Sequence, residues 1–137
     1  MKNVKKLIVP VLFFSILIFW SCGGGGAQRQ VQEEQLNEVK ESVSSDLYEL
    51  RHDIMERIAY VETQMEDATE EVRDKLEESR GKLDEQLVVI EQEIQNVENA
   101  SLETWDAVLQ QVTGSVQKAQ EKRNEVSLKV RELIEGE

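Results

Sequence analysis

One cysteine, one proline and one histidine are all that the 137 residues hold of these three types, and aromatic residues make up only 5%. A single thiol excludes an internal disulfide framework and cannot build a cysteine-based zinc site. The proline, Pro10, lies near the start, so everything after it can run as helix without an obligatory break. With so few large rings, the apolar residues, 39% of the chain, are better suited to a stripe along a helix than to a broad core. Beyond residue 26 only Gly81, Gly114 and Gly136 remain as glycines, and no Asp-x-Asp-x-Asp-Gly loop is present to gather ligands for calcium. Basic residues are also scarce, 16 against 28 acids, for a formal charge of −12. Such a surface repels nucleic acid, which is therefore not an expected partner.

What is present divides at Cys22. Lys2, Lys5 and Lys6 precede an apolar run of 14 residues, Leu7 to Trp20, then Ser21, Cys22 and the glycines Gly23 to Gly26. A positive start, a short apolar stretch and a small residue before a cleavage point form the layout of a secretory signal. A membrane-spanning helix needs about 20 apolar residues, so an uncleaved anchor here is short. Cleavage between Ser21 and Cys22 removes three positive charges and leaves −15 on the remainder.

At Ser21-Cys22 the sequence resembles the lipobox of bacterial lipoproteins, with Phe19 where that motif usually has Leu and Trp20 where it has Ala or Ser. The resemblance covers about the first 22 residues. It implies a signal peptide over 1–21, a diacylglyceryl-modified Cys22 as the first residue of the mature chain, and membrane attachment through acyl chains on that residue. Two or more such chains hold a protein stably where one does not. It also implies a place at the cell envelope. Gly23, in place of the Asp that retains enteric lipoproteins at the inner membrane, points to the periplasmic side of the outer membrane. The glycines make 22–27 a flexible tether.

From Leu36 apolar residues recur at steps of three and four through Val39, Val43, Leu47, Leu50, Ile54, Ile58, Val61, Met65, Ala68, Val72 and Leu76. One helix face is apolar throughout. The mean step of about 3.64 lies nearer an eleven-residue repeat than a heptad, which predicts nearly straight packing. The ladder continues to Val97 and resumes at Trp105, with Arg123 as its one charged rung, a side chain that must snorkel or pair. Asn96 to Ser101 collects turn and cap residues and is the hinge candidate, although Ser101 can carry the register from Val97 to Trp105. Asp-x-x-Glu recurs at Asp46, Asp53, Asp67 and Asp74, too often inside one ladder to mark boundaries. These features predict an all-α chain, with one long amphipathic helix over 28–98 and a second over 101–135, as an extended coiled-coil rod or an antiparallel helical hairpin. In the hairpin, residues 102–134 cover 66–98, and the stripe over 28–65 needs a partner, by self-association or from another helical envelope protein.

No catalytic constellation emerges, so neither an enzyme nor a cofactor is expected, and a rod offers no cleft for a small-molecule substrate. Glu49-x-x-His52 has the spacing of a di-iron helix ligand pair, but such a site needs the motif twice and His52 is alone. It reads as a surface histidine, and no metal site is expected. Trp105, Tyr48 and Tyr60 read as packing anchors. The function this supports is structural, spacer or partner-binding at the envelope. Two alternatives stand beside it: an amphipathic protein that binds lipid surfaces, since the eleven-residue periodicity also resembles apolipoprotein helices, and an uncleaved, N-terminally anchored coiled coil.

Overall fold

The computed structural model describes residues 26–136 as three helices joined by two short turns. Helix α1 spans Gly26–Glu66, α2 spans Glu70–Glu98 and α3 spans Trp105–Glu135. At 1.5 Å per residue, α1 is about 60 Å long and the other two about 45 Å. Connections this short make successive helices antiparallel. Ion pairs report the alignment: Arg51 meets Glu91 and Arg80 meets Glu62 between α1 and α2, while Asp53 meets Arg123 between α1 and α3, which run in the same direction.

Residues 28–98, expected to form one helix, form two. The chain turns at Asp67-Ala68-Thr69, where Thr69 adopts extended backbone (φ −62°, ψ 160°) and its Oγ1 accepts a hydrogen bond from the Val72 amide at 3.4 Å. Its carbonyl accepts from Arg73 N at 2.8 Å, and Glu70 and Glu71 place negative charge on the first turn of the helix that begins there. The apolar ladder conceals the turn because Met65, Ala68 and Val72 keep their three- and four-residue steps through it. Of the four Asp-x-x-Glu sequences, the one at Asp67 does lie on a boundary, with the neighbouring Thr69 as the capping residue.

The second reversal falls at the expected hinge. Asn99 ends α2, its amide bonding Gln95 O, and Thr104 Oγ1 accepts from Ser101 N at 2.9 Å to close the turn before Trp105. The second helix therefore starts at Trp105 rather than 101.

Deeply buried side chains recur every seven residues, at Leu47, Ile54 and Val61 on α1, Leu76, Leu83, Ile90 and Val97 on α2, and Trp105, Val112, Ala119 and Val126 on α3, where Val130 follows four residues on. This is heptad packing and replaces the eleven-residue periodicity expected from the ladder's mean step. The α1 stripe from Leu36 to Met65, expected to project alone or to find another chain, packs against α2 and α3 of the same chain. Self-association consequently loses the exposed stripe that argued for it. Among the described residues the buried side chains of α1, α2, α3 and the hinge form one continuous core.

On the N-terminal side of Leu36, the first residue of α1 packed against the core, α1 overhangs the other helices. Gln28 to Gln35 are all exposed. The overhang is tied back by one ion pair, Arg29 to Glu103 at 3.4 Å.

Ile54 is fully buried; Ile54→Ala is expected to lower stability by about 2–5 kcal/mol, measured by chemical denaturation. Gly81 and Gly114 lie inside helices with nothing within 4 Å of an added Cβ. Gly81→Ala and Gly114→Ala are each expected to raise stability by about 0.5–1 kcal/mol and shift thermal unfolding upward.

Candidate functional site

The lipid-attachment reading rests on Ser21 and Cys22, which lie outside the described residues. Helix α1 begins at Gly26, so the last glycine of the expected tether belongs to the helix. That places a helical bundle four residues after Cys22 in sequence.

Within the bundle, polar side chains concentrate at three places, all of them between helices. The first is Glu93, on the flank of α2 that faces α3. Only 4% of it is exposed, and no cation pairs with it among the described residues. Its carboxylate instead accepts from Gln111 Nε2 at 3.1 Å, Ser115 Oγ at 2.9 Å and Asn96 Nδ2 at 3.2 Å. With Ser79, also buried, it makes this flank polar, whereas Leu87 and Ile94 supply apolar packing beside the same seam. Four neutral hydrogen bonds satisfy an acceptor that burial would otherwise penalise.

The second is the junction of α1 and α3. Asp53 Oδ2 accepts from Arg57 Nε at 3.1 Å and from Arg123 Nη1 at 2.9 Å. Arg57 also donates to Ser127 Oγ, which donates to the Arg123 carbonyl. The charged rung of the ladder is thus paired, and it fixes where α3 sits along α1.

The third is the set of helix ends. None of the three helices has a basic residue in its last turn, and carbonyls at the ends of α1 and α2 are capped from the other of these two helices. Lys40 Nζ on α1 donates to Glu98 O at 2.9 Å and Ala100 O at 2.8 Å, at the end of α2. Arg73 Nε on α2 donates to Met65 O at 3.1 Å, at the end of α1. Carbonyl ends carry partial negative charge, so a cation there is favourable as well as hydrogen-bonded.

His52 is exposed and lies 3.3 Å from Glu56. Among the described residues no group of three or more His, Cys, Asp or Glu side chains is placed to hold a metal ion. The grooves are shallow. One of about 340 Å³ runs between α1 and α3 past Tyr60, Val130 and Arg131. Another, of about 610 Å³, is lined by Lys75, Lys82 and Lys129 facing Glu78, Glu125 and Glu132. Trp105 is buried as a packing anchor, but Tyr48 and Tyr60 are about half exposed, Tyr48 donating to Glu98 at 3.2 Å. Glu103 is the one carboxyl clearly held below its usual range: its own backbone amide and the Ser101 hydroxyl donate to it, and Arg29 adds attraction.

The sequence did not single out Glu93 or Lys40. Glu93 stands between Ile90 and Ile94, beside the stripe rather than on it, and its only signal is the polar pair Gln111 and Ser115 flanking Val112. Lys40 bonds across 58 and 60 residues, a relation that local spacing does not carry. Comparison with protein-family models, with curated proteins and with solved structures finds no match to the chain.

Glu93→Ala leaves three donors facing a void and is expected to destabilise the bundle by about 1–3 kcal/mol, with Glu93→Gln milder, both read from urea unfolding curves. Because the Glu103 carboxyl is held low, its contribution to stability is present above its unfolded-state pKa and fades as pH falls through the folded value. Glu103→Gln should therefore flatten the acid limb of a melting-temperature profile and leave a residual slope from the other carboxylates.

Proposed function

We propose that the chain is an exported bacterial lipoprotein, cleaved before Cys22, acylated on that residue and carrying a three-helix bundle with a structural, spacer or partner-binding role at the cell envelope. The observation that carries this reading is the succession of Lys2, Lys5 and Lys6, the apolar run Leu7 to Trp20, and Ser21-Cys22. Two features of the bundle are in keeping with it. Among the described residues no helix is long and apolar enough to cross a membrane, so the reading assigns membrane attachment to Cys22. Helix α1 also starts close after that residue and overhangs the rest of the bundle, which sets the packed helices back from an anchor at its start.

Gly23 after the cysteine favours the outer membrane over the inner. The polar clusters bind helices to one another rather than lining a cleft, which favours a mechanical or docking role over catalysis. Adsorption of the apolar stripe to a bilayer requires the bundle to open, because that stripe packs on α2 and α3.

Intact mass of the membrane-extracted protein is expected to show loss of residues 1–21 and addition of acyl chains, and Cys22→Ala is expected to leave a precursor with unmodified mass. A Cys22→Ala protein whose mass still shows acylation, or a wild-type mass equal to the uncleaved chain, overturns the reading. Addition of anionic vesicles to the chain from Cys22 should leave its circular dichroism unchanged; a large gain in helix favours the lipid-surface alternative.

A further inference from the structure

We infer that the connection between α2 and α3 is a hinge that straightens, and that in the straightened form the chain exchanges α3 with a second copy of itself to make a two-fold dimer. The inference goes beyond the proposed function, rests on the hinge rather than on an exposed stripe, and does not depend on how Cys22 is processed.

The two turns of the bundle are built differently. Thr69, between α1 and α2, is extended and its side chain caps the next helix, so the chain is actively turned out of helical geometry. The end of α2 is turned differently, by Ala100 N bonding Val97 O at 3.2 Å and by Thr104 Oγ1 accepting from Ser101 N at 2.9 Å, all without positive φ. Helices commonly end on a residue in left-handed conformation, usually glycine. Here Asn99 has φ −90° and ψ −3°, Thr104 has φ −103° and ψ −10°, both right-handed, and no described residue has positive φ. The segment between Glu98 and Trp105 contains neither glycine nor proline. The Asn99 amide still makes its helical bond to Gln95 O, and Thr104 makes no side-chain cap to the helix that follows.

The three- and four-residue steps can be carried through the hinge with Ser101 as an exposed polar rung, the deep seam stepping eight residues from Val97 to Trp105 in place of seven. Ile94, Val97, Ser101, Trp105, Val108 and Val112 follow one another at steps of 3, 4, 4, 3 and 4 residues, the same order as Leu36 to Ile54 at the start of α1. A helix continuous from Glu70 to Glu135 has 66 residues and is about 100 Å long, with the seams of α2 and α3 on one face.

The pairing of the two helices is centred on the hinge itself. Glu93 bonds to Gln111 and Ser115, which puts the midpoint of the antiparallel pairing close to residue 103. Two straightened chains laid antiparallel about that point reproduce each contact of α3, now made by the other copy. Opening gives up the Lys40 caps on Glu98 O and Ala100 O and the Arg29 to Glu103 pair. It gains helical hydrogen bonds over 99–104. The α3-facing flank of α2, with Ser79 and Glu93, is also the more polar of its two flanks, so α3 is the helix whose transient release exposes less apolar surface.

The test uses the chain from Cys22 with Cys22→Ser, which contains the whole core and is free of cysteine. Glu78→Cys and Glu132→Cys, which line one groove between α2 and α3, carry spin labels. In the closed bundle the two labels are neighbours; in a straight helix they are 54 residues, about 80 Å, apart. After unfolding and refolding at high concentration with a tenfold excess of unlabelled chain, sedimentation is expected to show a dimer, and pulsed electron resonance of that dimer the loss of the short distance. A monomer at all concentrations, or a dimer that keeps the short distance, overturns the inference. Leu102→Pro cannot be accommodated in a continuous helix; it is expected to reduce the dimer fraction at least tenfold, and an unchanged fraction overturns the straightened hinge. The distance measurement stands even if that variant fails to fold.

Discussion

Leu76, Leu83, Ile90 and Val97 lie at the centre of the molecule, between two helices that touch each other only sparingly. Helices α1 and α3 are held together chiefly because both pack on this seam. Its seven-residue spacing keeps the same side of α2 facing inward along its length, and the partner seams on α1 and α3 repeat at the same interval. The arrangement is linear, with the apolar seam repeating along the three helices.

On that apolar seam, polar groups decide position. A seam of Leu, Ile and Val residues tolerates sliding by one repeat, but the Asp53 and Arg123 pair, the acceptor Glu93 and the Lys40 cap are satisfied only at one alignment. Displacing a helix by a repeat strands a buried or half-buried polar group, a penalty that apolar contact cannot offset. The exchanged caps add a second effect. Since the carbonyl ends of α1 and α2 are each bonded by a cation from the other helix, neither terminus is complete in isolation.

The all-α class and the reversal near residue 99 were legible in the sequence, because helical periodicity and cap residues are local properties. The Arg123 rung could be marked as needing a partner, although the partner, Asp53, lies 70 residues away. The turn at Thr69 was hidden because the apolar steps continue through it, and a ladder of that kind is indifferent to whether its rungs face one helix or two. The heptad emerged only with the structure, since half-buried flanking residues such as Ile58 and Leu87 blur the interval between the deep ones. The reading of Cys22 is the reverse case, since it rests on sequence alone and lies outside the described residues.

The regular spacing has a consequence for reach. Between its polar levels a seam that repeats every seven residues sets no preferred length. Inserting one heptad at matching levels of all three helices extends it by about 10 Å while preserving every seam and both turns. The overhanging start of α1 is simpler still, because lengthening it disturbs only the Arg29 to Glu103 pair. The length of such a bundle is graduated by the helix repeat and can change by whole steps without the fold being redesigned.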